Sequence, residues 1–164
     1  MRTIRIKQGT VGLVFKNGEY LRFLTAGKHW LGFGQAIRTY SLFEKFEAPI
    51  QLDLLLKDKE LVHRLILVEV KDNEIGLQYT NGYLKAVLRP NVHVFWKSDL
   101  DYEFEIIDLT DTDEITHINR DALRMQAIAS YIRLFTVESF EKGLLFVNGN
   151  YERTLGPGTY RFWN

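Results

Sequence analysis

Four histidines, a short acidic run, a Gly-x-Gly and three of the four serines are the residues whose chemistry asks for inspection first. His29 and His93 stand at neighbouring positions of a repeated segment, which suggests a pair. A metal centre needs three or four converging ligands, however, and His63 and His117 lie in connecting segments without ligand-like spacing. All four read as structural or surface histidines. The run Asp108-Leu109-Thr110-Asp111-Thr112-Asp113-Glu114 has carboxylates enough to attract calcium, but it lacks the glycine at the sixth loop position and the acid at the twelfth that an EF-hand requires. It reads as a solvated loop. Gly32-Phe33-Gly34 lacks the third glycine and the following helix of a phosphate loop. Ser41, Ser130 and Ser139 stand outside any G-x-S-x-G elbow. The expectation is a chain with no catalytic, cofactor-binding or metal-binding residue.

The elements that would have to position any site come from one sentence written three times: VGLVFKNGEYLRFLTAGKHWLG over 11–32, IGLQYTNGYLKAVLRPNVHVFW over 75–96 and KGLLFVNGNYERTLGPGTYRFW over 142–163. In each copy a glycine (Gly12, Gly76, Gly143) opens an alternating apolar run that ends in Asn-Gly. A type I′ turn needs positive φ at both central residues, which glycine takes freely and asparagine tolerates, so Asn17-Gly18, Asn81-Gly82 and Asn148-Gly149 predict three β-hairpins. A second turn follows at Thr25-Ala26-Gly27, Arg89-Pro90-Asn91 and Gly156-Pro157-Gly158. Pro90 and Pro157 suit the first central position of a type II turn, and Gly27, Asn91 and Gly158 the positive-φ position after it. The aromatic residues Phe15, Tyr20 and Trp30, with Tyr79, Tyr83, Phe95 and Trp96 and with Phe146, Tyr151, Phe162 and Trp163, are expected in the core and between lobes.

The connectors also correspond. Strands are expected over 35–43 and 102–109, and short helices over about 54–63 and 120–130, with Asp53 and Asn119 as N-caps. The predicted fold is α+β, a β-rich tandem repeat of antiparallel hairpin-strand-helix-strand lobes with a third hairpin at the C-terminus. Lobe one is placed at 1–72, lobe two at 73–138 and the third hairpin at 139–164. Net charge is zero, from 21 basic and 21 acidic side chains, so nucleic acid is disfavoured as a partner. Cysteine is absent, which suits a cytoplasmic location. The third copy stops directly after its hairpin where the first two continue into strand, helix and strand. The expectation is that a longer protein supplies the rest, and that the apolar face around Tyr160, Phe162 and Trp163 is incompletely covered and forms the candidate interaction surface.

Glu141-Lys142-Gly143-Leu144-Leu145-Phe146, Asn148-Gly149, Tyr151-Glu152-Arg153, Leu155-Gly156-Pro157-Gly158 and Tyr160-Arg161-Phe162 together resemble the opening of the SPFH domain, shared by stomatins, slipins, prohibitins and flotillins. The whole chain is similar to the N-terminal region of a bacterial slipin-type protein in which degenerate copies of that hairpin precede the domain. About the last 25 residues match the domain itself. The resemblance implies a non-catalytic, membrane-associated scaffold or protein-interaction module with protein partners, a second copy of itself among them. Stomatin-like proteins usually carry an N-terminal hydrophobic segment that this sequence lacks, so membrane association is expected to be indirect or through a further C-terminal part, in a protein that is cytoplasmic and peripheral to the membrane. The competing expectation is a small-molecule-binding domain or enzyme with a pocket between the lobes near His29 and His93.

Overall fold

Three asparagines, Asn17, Asn81 and Asn148, hold φ between 51° and 52°, and the glycines that follow them, Gly18, Gly82 and Gly149, hold φ between 79° and 82°. These are the left-handed values of a type I′ turn, whose twist matches that of the strands it joins. The computed structural model describes residues 1–110 and 113–164. In chain order the strands and helical turns are β1 (Arg2–Ile6), β2 (Thr10–Lys16), β3 (Glu19–Leu24), β4 (Gly27–Leu31), β5 (Gln35–Ser41), α1 (Leu52–Leu55), α2 (Lys59–Val62), β6 (Leu65–Val70), β7 (Glu74–Thr80), β8 (Tyr83–Leu88), β9 (Asn91–Trp96), β10 (Tyr102–Asp108), a 3₁₀ turn (Ala122–Arg124), α3 (Gln126–Ala129), β11 (Ile132–Val137), β12 (Gly143–Val147), β13 (Asn150–Leu155) and β14 (Gly158–Trp163). With 53% of the chain in strands and 9% in helix, the fold is a β-rich α+β fold of antiparallel hairpin sheets.

The three hairpins β2–β3, β7–β8 and β12–β13 share a further detail. Their registers shift between Val14 and Phe15, between Gln78 and Tyr79, and between Leu145 and Phe146, leaving Leu21, Lys85 and Glu152 as the extra residue on the second strand. Such a bulge increases the local twist. The glycine that opens each hairpin lies against two side chains. A Cβ on Gly76 would sit 3.1 Å from Leu88 Cβ and 3.2 Å from Val70 Cγ2, and one on Gly143 would sit 3.1 Å from Val137 Cγ2 and 3.3 Å from Leu155 Cβ. On Gly12 it would meet Ile37 and Ile6 at 2.5 and 2.9 Å. Only a residue without a side chain lets these neighbours close.

Contacts divide the chain into two units, 1–69 with 92–102 and 70–91 with 103–164. These units do not coincide with the repeat lobes expected at 1–72, 73–138 and 139–164. β9, the strand after the second turn of the second copy, belongs to unit one from residue 92 on, where its Val94 and Trp96 are buried with Leu13, Phe15, Leu55 and Leu61, and it pairs with β6. The third hairpin belongs to unit two, where Trp163 of β14 is buried with Ile75, Leu77, Leu123 and Ile128, and β14 pairs antiparallel with β11.

Unit one is layered around the sheet β3-β2-β5. One face carries Leu13 and Phe15 into the core with the helical turns, and the other sends Val14 against Ile6, Leu24 and Leu31, beneath the ribbon of β1 and β4. In unit two β7 is central between β10 and β8, and Ile75 and Leu77 face the segment from Ile115 to Ile128.

Three local expectations are corrected. The two predicted helices are each a pair of single turns. Asp58 leaves helical geometry, at φ −81° and ψ 109°, to cap α2, and Met125, at φ −57° and ψ 130°, separates the 3₁₀ turn from α3. Asp53 lies in the first turn of α1 instead of capping it, whereas Asn119 accepts from the Asp121 amide at 2.9 Å. The second turns are not type II: Gly27 and Gly158 have φ of 129° and 155°, and Asn91 is not among the positive-φ residues. Each of the three already starts a strand, and Gly27 and Gly158 sit opposite Ile6 and Val137 in their ladders, which keeps the backbone open.

Gly82 has open space around it, so any cost of substitution there is backbone cost alone. Gly82→Val should lower stability by more than about 1 kcal/mol. Thermal melts that overlay those of the parent would contradict the turn's dependence on left-handed geometry.

Candidate functional site

The polar residues with chemical potential are mostly committed to local contacts. His93 is buried, with Nδ1 2.6 Å from Lys45 Nζ, which donates to it. His117 Nε2 meets Glu105 Oε1 at 2.7 Å on the surface, and His29 Nε2 donates to the Thr25 carbonyl at 2.7 Å. His29 and His93 both belong to unit one. His29, without His93, borders a cleft of about 400 Å³ in that unit with Glu60, His63 and Arg64. Among the described residues no three His, Cys, Asp or Glu side chains gather as a metal site.

Within the acidic run, Asp111 and Thr112 lie outside the described residues. Asp108 accepts from the Thr110 hydroxyl at 2.7 Å, the Thr110 amide at 2.9 Å and Asn73 Nδ2 at 3.1 Å. The Thr110 bonds, ahead of that from Asn73, hold its carboxyl below the usual carboxylate range. In the Gly32-Phe33-Gly34 turn the Gly32 amide donates to Gln35 Oε1 at 2.9 Å, so it is not held out for a phosphate. Ser41 Oγ likewise accepts from the Phe43 amide at 3.2 Å.

A different kind of site appears when equivalent side chains of the hairpins are compared. Leu13, Phe15 and Tyr20 of the first hairpin correspond to Leu144, Phe146 and Tyr151 of the third. Phe15 and Tyr20 meet edge-on with ring centroids 5.8 Å apart, and Phe146 and Tyr151 do so at 5.9 Å. Strand alternation puts Leu144 and Phe146 on one face, and the ring contact brings Tyr151 to it. The surroundings differ. Leu13 and Phe15 are 0% and 9% exposed beneath the helical turns, whereas Leu144, Phe146 and Tyr151 are 62%, 55% and 57% exposed. Each large apolar side chain withdrawn from water contributes about 1.5–3 kcal/mol, so this bare face holds several kcal/mol of unused burial. The edge of β12 is also open: β2 pairs with β5 on the side away from β3, while among the described residues β12 pairs with β13 alone.

The residues expected to form an uncovered apolar face are largely buried. Phe162 and Trp163 are 6% and 4% exposed and belong to the interior of unit two, and Tyr160, half-buried, donates its hydroxyl to the Gly156 carbonyl at 2.7 Å. Leu144, Phe146 and Tyr151, which are exposed, lie one strand pair earlier, on β12 and β13. Phe146 and Tyr151, expected in the core and between lobes, are exposed instead. No family model, curated protein or solved structure matches the chain.

Tyr20 also links the hairpin to the helical turns in unit one. Its hydroxyl donates to Asp58 Oδ2 at 2.6 Å, while Asp58 Oδ1 accepts from the Glu60 amide at 3.0 Å. Burial, then the bond to Asp58, then the charges of Asp58 and Glu60 push the Tyr20 phenol above its ordinary value. The unfolded chain ionises at the ordinary value near 10. The neutral phenol thus stabilises the fold fully below that pH, and the contribution is lost as pH rises beyond it. Asp58→Ala should cost about 1–2 kcal/mol at neutral pH in urea unfolding. Tyr20→Phe should cost about 1 kcal/mol and lose stability less steeply above about pH 10. Identical alkaline slopes for parent and Tyr20→Phe would refute the linkage.

Proposed function

We propose that this chain is a non-catalytic protein-interaction module of a slipin-like, membrane-associated scaffold. It is built as a tandem repeat of hairpin-strand-helix-strand lobes followed by a third hairpin. The observation that carries this reading is the bare face of Leu144, Phe146 and Tyr151, whose counterparts in unit one are covered. Exposed apolar surface of this kind is used for association. The repeat is supported by the common turn dihedrals and the bulge at the same position of each hairpin. The membership rests on the SPFH-like order of motifs from Glu141 to Phe162. No helix among the described residues is long and apolar enough to cross a membrane. The partners proposed are proteins, in a cytoplasmic setting peripheral to the membrane, and not nucleic acid.

A second reading, a small-molecule-binding domain or enzyme, is favoured by the cleft where His29, Glu60, His63 and Arg64 converge. A compound that raises the Tm of the parent but not of Arg64→Ala would favour that reading over the first.

The first reading is tested by replacing Phe146 with a photo-reactive phenylalanine analogue in native membranes. Illumination should join the chain to a discrete polypeptide, and Leu144→Asp should abolish the adduct. The absence of any adduct from this position, or one untouched by Leu144→Asp, would overturn the assignment of this face to protein binding.

A further inference from the structure

We infer that the third hairpin takes a partner polypeptide consisting of an extended strand followed by a leucine-bearing helical turn, the strand pairing antiparallel with β12 and the turn lying on Leu144, Phe146 and Tyr151. This inference rests on the protein-interaction reading and specifies its partner.

The chain itself contains the template. The side chains of the first hairpin that match the bare face, Leu13, Phe15 and Tyr20, share a core with one continuous segment, 35–65, and with Val94 and Trp96 of β9. That segment begins as β5, paired with β2 from Thr10 opposite Ser41 to Lys16 opposite Gln35. It then places Tyr40, Leu52, Leu55 and Leu61 over the apolar face, and Arg38 lies 5.6 Å from the centre of the Phe15 ring. The third hairpin reproduces the surface this segment recognises. Its three side chains are of the same types, its aromatic pair has nearly the same spacing, and its bulge falls at the same place.

The edge is suited to strand addition. β12 reads Gly143-Leu144-Leu145-Phe146-Val147, with no charge and no proline. Those are the devices by which sheet edges normally resist pairing. Main-chain hydrogen bonds along such an edge supply affinity, and pockets for alternate side chains supply specificity. A second copy contributing the same edge would extend the sheet but leave both apolar faces bare, so the strand-and-turn partner accounts for more of the surface.

The test uses a labelled synthetic peptide of residues 35–65 as the probe and the full chain as receptor. Fluorescence anisotropy should show saturable binding. Leu144→Asp combined with Phe146→Asp should weaken it at least tenfold, and Tyr83→Asp, at another exposed tyrosine, should leave it unchanged. Because Leu144 and Phe146 are exposed, the double variant should retain the parent's circular dichroism and melting curve. Hydrogen exchange of the amides in Gly143–Val147 should slow on addition of the peptide to the parent.

No saturable binding, or binding that survives the double variant, would overturn the inference. So would a parent that sediments as a dimer, becomes a monomer on Phe146→Asp and ignores the peptide, since a second copy would then be the occupant. A photo-adduct at Phe146 without peptide binding would reject this partner and leave the interaction module standing. Failure of both would reject both.

Discussion

A three-stranded sheet with apolar side chains on both faces cannot be closed by its own hairpin, and that requirement organises this protein. In unit one Leu13 and Val14, adjacent on β2, point to opposite sides, and both are wholly buried. One side is covered by the early ribbon of β1 and β4, but the other waits for α1, α2 and finally Trp96 of β9. Trp96 stacks on Phe23 at 6.1 Å and meets Phe46 edge-on at 4.7 Å. Its Nε1 is buried without a hydrogen-bond partner among the described residues. An unmet donor costs about 1–3 kcal/mol, whereas losing a buried Trp side chain costs about 3–5 kcal/mol, so packing outweighs the orphaned donor.

The same requirement explains why hairpin arms join units in an unexpected way. The Phe-Trp ending of the second copy completes unit one, and that of the third copy completes unit two. Gly32 occupies the corresponding position after β4 in the first copy, where Leu31 is the buried terminal residue. In the second copy β7 and β8 build the sheet of unit two, while β9 closes the core of unit one.

Sharing of local geometry with loss of cover is what gives the third hairpin its character. Its type I′ turn, bulge and close-packed Gly143 hold Leu144, Phe146 and Tyr151 in a fixed arrangement. Preorganisation of that kind lowers the entropic cost of association. The potential reactive groups, by contrast, are absorbed into local structure, with His93 on Lys45, Asp58 on Tyr20 and α2, and Asp108 on Thr110.

Turn chemistry was legible from the sequence because it depends on residues adjacent in the chain. Asn-Gly dictates left-handed φ wherever it stands, and the strands over 35–41 and 102–108 follow from alternation and their bounding turns. The split helices were not legible, since leucine spacing fits one helix or two turns equally, and it was Asp58 finding Tyr20 and the amides of α2 that ended the first turn. The division into units and the exposure of Leu144, Phe146 and Tyr151 also lay beyond sequence reading. Phe15 and Phe146 have the same local sequence context, yet one is core and the other surface. That difference is set by which distant segment returns over each, and burial is a property of the completed packing rather than of the strand that carries the side chain.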